Sequence, residues 1–174
     1  MEECGRTLAC SPLLATAVGA SAIVACGSAD QKSSLLPQVA GGELLLALAL
    51  EETPHHNPYG ATTTAEKSGE GYKVSGSKKF VLDGHVANKL VVVARTSGNS
   101  GDRDGISRVV VDREADGVSV TRTIMADSRN AANIDFDGDQ GEWLGEEGKG
   151  ANALDSSLDA GRVLLSAEML GGLQ

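Results

Sequence analysis

Seven short runs rich in Val, Ile and Thr follow one another between residues 45 and 136, and no long helical stretch separates them. Such spacing excludes a βαβ architecture and points to an antiparallel barrel or sandwich. Strands are predicted over 45–51, 61–67, 72–82, 89–95, 107–112, 118–123 and 132–136. The turn pairs Ser68-Gly69, Asp83-Gly84, Asp104-Gly105 and Asp116-Gly117 punctuate them.

Both flanks read as helical. Ser11 is an N-cap with Pro12 at the first helical position, and Gly27 is the stop. Between them Leu13, Ala17, Ala20 and Val24 fall on one stripe. Ser28-Ala29-Asp30-Gln31 is a capping-box pattern opening a second helix, whose apolar face is Leu35, Leu36 and Val39, interrupted by Pro37. After Gly150 a third helix carries Ala153, Leu154, Leu158, Val163, Leu164, Met169 and Leu170. Alone, that stripe has nothing to bury against, which predicts poor solubility.

Composition narrows the partners. The 174 residues carry a net charge of −9, spread along the chain, which disfavours nucleic acid. Aromatics are only 3%, so the core must be aliphatic, and 22 glycines predict many turns. Cys4, Cys10 and Cys26 are odd in number and show no C-x-x-C spacing, which fits a reduced, cytoplasmic setting better than a disulfide framework. The small apolar stretch from Ala15 to Cys26 resembles a lipoprotein signal. However, Glu2 and Glu3 precede it, polar residues break it, and it is too short to span a bilayer.

Generic site motifs are weak. His55-His56 lacks a third ligand and reads as loop histidine. Asp135, Asp137, Asp139 and Glu146 imitate a calcium loop, but Gln140 stands where Gly is required. Gly145-Glu146-Glu147-Gly148-Lys149-Gly150 lacks phosphate-loop spacing, and no G-x-G-x-x-G or G-x-S-x-G occurs. No metal site and no catalytic residue is assigned.

An ordered set of segments is more specific. Gly27-Ser28-Ala29-Asp30-Gln31-Lys32, Leu35-Leu36-Pro37 and Gly41-Gly42-Glu43 resemble G-S-x-x-Q-K-x-x-x-L-P-x-x-x-x-G-E of the acyl-CoA dehydrogenase family. The stretch from Gly71-Tyr72 through Lys78-Lys79-Phe80-Val81-Leu82-Asp83-Gly84 resembles the family's G-Y-x-L-x-G-x-K-x-(W/F)-(I/V)-(T/L)-(N/D)-G. Leu144-Gly145-Glu146-Glu147-Gly148-Lys149-Gly150 and Gly161-Arg162 resemble its entry to the C-terminal bundle. The resemblance implies an α+β fold in three parts. Residues 1–43 are the end of a helical domain, 44–143 an antiparallel β-barrel, and 144–174 the first helix of a C-terminal bundle.

It also implies chemistry: FAD-dependent α,β-dehydrogenation of an acyl-CoA thioester, with electron-transferring flavoprotein as acceptor and a homo- or hetero-oligomeric assembly. Flavin contacts carry over to Leu48, Leu50 and Glu51 on one strand and to Phe80, Val81 and Leu82 on another. The family's A-x-T-E-P-x-x-G-S-D is altered here: Glu52 keeps the Glu, Glu51 replaces the Thr, and the Gly-Ser is absent. Leu82 stands where the family has a hydroxyl, leaving only its backbone N–H. After Phe136 the family's V-x-V-P is missing and 137–143 reads as a shortened bridge. The chain is thus read as a truncated piece without the catalytic base, inactive alone. The alternatives are a non-catalytic subunit of a heteromer, or an inactive barrel remnant.

Overall fold

The computed structural model describes residues 1–69 and 71–174, with Asp139 and Gln140 described through their backbone only. Helices α1 (Glu2–Thr7), α2 (Leu13–Cys26) and α3 (Ala29–Ala40) precede seven strands, and α4 (Ala151–Gly172) follows them. The strands are β1 (Leu46–Ala49), β2 (Thr64–Ser68), β3 (Gly71–Leu82), β4 (Lys89–Arg95), β5 (Ile106–Asp112), β6 (Val118–Ile124) and β7 (Asn130–Trp143). Among the described residues, no helix is long and apolar enough to cross a membrane.

Five strands close on themselves in the order β4-β2-β3-β7-β5, with β5 pairing back to β4. Closure leaves no edge within the ring. β1 adds in parallel to β4, and β6 adds antiparallel to β7. The ring is antiparallel except at the β2–β4 junction, a parallel contact at Thr64 and Arg95. Alternation explains the core: Leu90, Val92, Ala94, Val109, Val111 and Ile134 fill the barrel interior. Val91 and Val110 face outward beneath the helices. β4 is therefore buried on both faces, which is why its sequence runs apolar without interruption.

β7 corrects the expectation of a short strand and a bridge. It continues through Asp137-Gly138 to Trp143, pairing with β3 and then β5. The D-G-D-Q-G run reads locally as a turn. Partners on both sides supply its ladder hydrogen bonds and override that preference. Gly138 takes φ 79° where the register with β3 shifts, and a Cβ at Gly141 would overlap Val109. The acidic run read as an imitation calcium loop is thus mostly strand, where successive carboxylates alternate faces. Asp135 accepts from the Ser77 hydroxyl at 2.5 Å, and the Asp139 side chain lies outside the described residues.

Helices α2 and α3 seat on the barrel's outer face. The Ser28–Gln31 capping box forms, at 3.1 and 3.0 Å. Gln31 also donates to Glu142 at 2.9 Å and to the Trp143 carbonyl at 2.7 Å, tying α3 to the end of β7. The expected α2 stripe is the wrong face, since Leu13 and Val24 are exposed. The buried residues are Leu14, Ala15, Thr16, Gly19, Ala22 and Ile23. Gly19 decides this: a Cβ there would lie 2.6 Å from the Leu46 Cβ, so only this face lets α2 rest on β1.

α4 does find partners. It packs along α1 and α2, and a Cβ on Gly5 or Gly171 would overlap the carbonyl of Glu168 or Glu2 respectively. Leu154 is fully buried, whereas Val163, Met169 and Leu170 of the expected stripe are exposed.

Candidate functional site

A cavity of about 330 Å³ opens where the barrel, α2 and α4 meet. That volume sits at the small end of the range for small-molecule sites. Leu48, Leu50, Phe80 and Leu82 form its barrel wall. Leu14, Ala15 and Val18 of α2 form a second wall, with Ser157, Leu158, Gly161, Arg162 and Leu165 of α4 opposite. Gly161 keeps the passage open, since a Cβ there would press to 3.2 Å from Val18. His56 closes one side.

The structure thus brings together four of the six residues singled out for flavin. Glu51 stands behind this surface, its carboxylate accepting from the Asn57 N–H at 3.0 Å and lying 2.5 Å from His56 Nδ1. Val81 turns into the barrel interior at 2% exposure, so its side chain is core and only its backbone faces the outer wall. Sequence reasoning missed the α2 and α4 walls because they meet the barrel only through long-range packing. It missed His56 because a loop histidine carries no local signal.

A bulge presents Phe80. Between Lys78 and Val81, β3 advances three residues while β7 advances two, so one residue is extra. Phe80 adopts φ 51°, and its N–H donates to Asn133 Oδ1 at 3.3 Å. A bulky residue in this region costs roughly 1–3 kcal/mol and is retained where surrounding contacts over-determine it. The result is an aromatic ring half out in the open, facing the cavity.

A buried ion pair holds the adjoining loop. The Lys78 ammonium lies 2.7 Å from Glu52 Oε1 and donates to the Leu50 carbonyl at 3.0 Å. Glu52 also accepts from the Thr62 and Thr63 N–H groups at 2.8 and 2.9 Å, and from the Thr62 hydroxyl at 2.5 Å. Burial works to raise the Glu52 pKa. The Lys78 charge and the Thr62 and Thr63 donors outweigh it and hold the carboxyl down at about 2. Burial also pulls Lys78 below its ordinary value, with Glu52 opposing.

The depressed Glu52 pKa fixes a sign. Its stabilisation is fully present above the unfolded value of 4.5 and is lost as pH falls toward 2. Urea midpoints should therefore drop through that window, and Glu52→Gln should flatten this part of the profile. An equal drop in the variant would show that other carboxylates control acid unfolding.

The start of α4 is pinned to the loops. Asp155 accepts from the Tyr59 hydroxyl and from Arg103 Nη2 at 2.6 Å, and the Arg103 guanidinium lies 4.7 Å over the Tyr59 ring. These two donors lower the Asp155 pKa. Deeper in, Arg95 is 7% exposed, and its hydrogen-bond acceptors among the described residues are backbone carbonyls. It donates to Ala61 at 3.0 Å, Tyr59 at 2.8 Å, Asp102 at 3.0 Å, Asp104 at 3.1 Å and Ser97 at 3.3 Å.

Comparison with known proteins decides the family. The profile described as "Acyl-CoA dehydrogenase, middle domain" matches residues 50–138, half of the chain. The chain belongs to the acyl-CoA dehydrogenase family. It is 32% identical to an acyl-CoA dehydrogenase of Bacillus subtilis, over 90% of this chain and 43% of that one. It is also 32% identical to cyclohexane-1-carbonyl-CoA dehydrogenase of Geobacter metallireducens, over 98% of this chain and 47% of that one. The solved butyryl-CoA dehydrogenase of Megasphaera elsdenii superposes with a TM-score of 0.84 at 27% identity, over 92% of this chain and 44% of that one. The chain thus spans less than half the length of these relatives. Members of this family are flavoproteins, and the cavity lies against the matched middle domain.

Proposed function

We propose that this chain supplies the flavin-facing half of an FAD-dependent acyl-CoA dehydrogenase acting in the cytoplasm. The observation that carries this reading is the apolar cavity walled by Leu48, Leu50, Phe80 and Leu82. A flat aromatic ring fits there, because the bulge leaves Phe80 as an uncovered stacking surface and the surrounding walls are hydrocarbon. When bound, the flavin takes up the hydride released from the substrate's β-carbon.

The protein's own share is position and environment. Leu48, Leu50 and Leu82 exclude water from the wall, which strengthens any electrostatic contact made inside. Leu82 offers no hydroxyl, so backbone N–H groups must serve as donors, at a cost of about 0.5–1.5 kcal/mol per missing bond. Leu14, Val18 and Leu158 give an acyl group an apolar bed. No carboxylate lines the cavity among the described residues, so the base that removes the substrate's α-proton comes from outside this wall. Family membership supports an acyl-CoA substrate, electron-transferring flavoprotein as acceptor and an oligomeric assembly.

The missing carboxylate also favours a second reading, a non-catalytic subunit whose partner brings the base. One titration tests both. FAD added to the purified chain should bind saturably, followed by flavin fluorescence, and acyl-CoA should not drive reduction of an artificial acceptor. Absence of saturable FAD binding would overturn the flavin reading. Turnover by the chain alone would overturn the claim that the base lies elsewhere.

A further inference from the structure

Among the described residues that line the cavity, His56 is the side chain that offers an uncommitted ring acceptor. The Ser157 hydroxyl donates to the Ala153 carbonyl at 3.0 Å, and Arg162, whose Nη1 donates to Asp159 at 2.5 Å, has donors only. His56 instead has one ring nitrogen committed: Nδ1 lies 2.5 Å from Glu51 Oε1. A carboxylate accepts only, so the neutral imidazole carries its proton on Nδ1 and leaves Nε2 as a lone-pair acceptor. Glu51 is itself held, by the Asn57 N–H on its other oxygen. The dyad is therefore oriented from behind, and the imidazole forms part of a wall otherwise made by Leu48, Leu50 and Leu82.

A lone-pair acceptor set in an apolar wall selects a ligand that presents a polar N–H. The isoalloxazine ring has one such group, the imide N–H between its two pyrimidine carbonyls. Resting on the flavin reading above, we propose that His56, oriented by Glu51, contacts the flavin and accepts a hydrogen bond from this imide N–H. Glu51 is then a positioning residue, acting through the imidazole.

FAD and its N3-methyl derivative separate this contact from general binding, since methylation removes the donor and leaves the ring. Dissociation constants are measured for the full chain, His56→Ala and Glu51→Gln, with thermal midpoints as a folding check. The unaltered chain should prefer FAD over the methylated form by about tenfold, the size of one hydrogen bond. His56→Ala should erase the preference and keep its melting midpoint, since the side chain is 59% exposed. Glu51→Gln should also reduce it, because a glutamine amide can donate to Nδ1 and turn Nε2 into a donor. Equal affinity of the unaltered chain for both flavins would overturn the His56 contact while leaving the flavin site standing. Binding of neither flavin would overturn both.

Discussion

Lys78→Met lowers the unfolding free energy by about 3–5 kcal/mol, the cost of leaving one member of a buried ion pair without its partner. The Lys78 side chain is fully buried and that of Glu52 is 11% exposed. Neither charge can recover its hydration when the other is removed. Thr62 and Thr63 still donate to Glu52, but no cation remains to offset its desolvation. Urea unfolding should show a lower midpoint with an unchanged slope. The double variant Lys78→Met/Glu52→Gln should recover part of the loss, with a coupling of about 1 kcal/mol or more. The penalty should also shrink below pH 4.5. There the parent loses its own Glu52 contribution, while the variant's carboxyl, no longer held down by the Lys78 charge, has less to lose. A single-variant loss below about 1 kcal/mol would show that the pair is dispensable.

The ion pair also links stability to the site. It joins the loop after β1 to β3 at the residue where the bulge begins, two positions before Phe80. The Lys79 N–H donates to the Glu51 carbonyl at 2.7 Å, a second tether between the same segments. The strained Phe80 backbone thus follows directly on two contacts that tie β3 to the loop after β1. Local unfavourable geometry is offset by buried polar contacts nearby.

Local pattern made some of this legible. The Ser28–Gln31 capping box needs only four residues and is where the sequence places it. β4 matches its expected bounds because an apolar run closed by Arg95 and a turn leaves little choice. The α2 face was not legible, because Ala, Val and Gly surround the helix and little contrast remains between sides. Gly19 selects the face, but only the approach to Leu46 reveals that. The later part of β7 was hidden for the opposite reason. Its residues favour a turn, and the strand exists because β3 and β5 pair with it. At the site, Leu48, Leu50, Phe80 and Leu82 were reachable through family resemblance alone. The Glu52–Lys78 pair left only the trace that each residue falls in a family-like segment. Its partnership needed the fold.

Arg95→Met should cost roughly 4 kcal/mol or more, because one buried side chain satisfies carbonyls from two loops. Its guanidinium has five N–H donors, and the structure gives it five carbonyl acceptors. Hydrogen bonds to a charged group are worth about 1.5–3 kcal/mol each. Water entering the vacated space would recover part of that sum. The loss should be regional before it is global. Tyr59 and Ala61 lie in the loop that carries His56, while Ser97, Asp102 and Asp104 lie in the β4–β5 connection. Hydrogen exchange should therefore accelerate over 56–63 and 96–105. The β3–β7 ladder should stay protected until global unfolding. Arg95→Lys should rescue little, since an ammonium has three donors and lacks the planar spread that reaches both loops. Uniform acceleration across the barrel would show that Arg95 serves the core as a whole. Unchanged exchange in the two loops would show that their conformation is set elsewhere, and with it the placement of His56 beside the cavity.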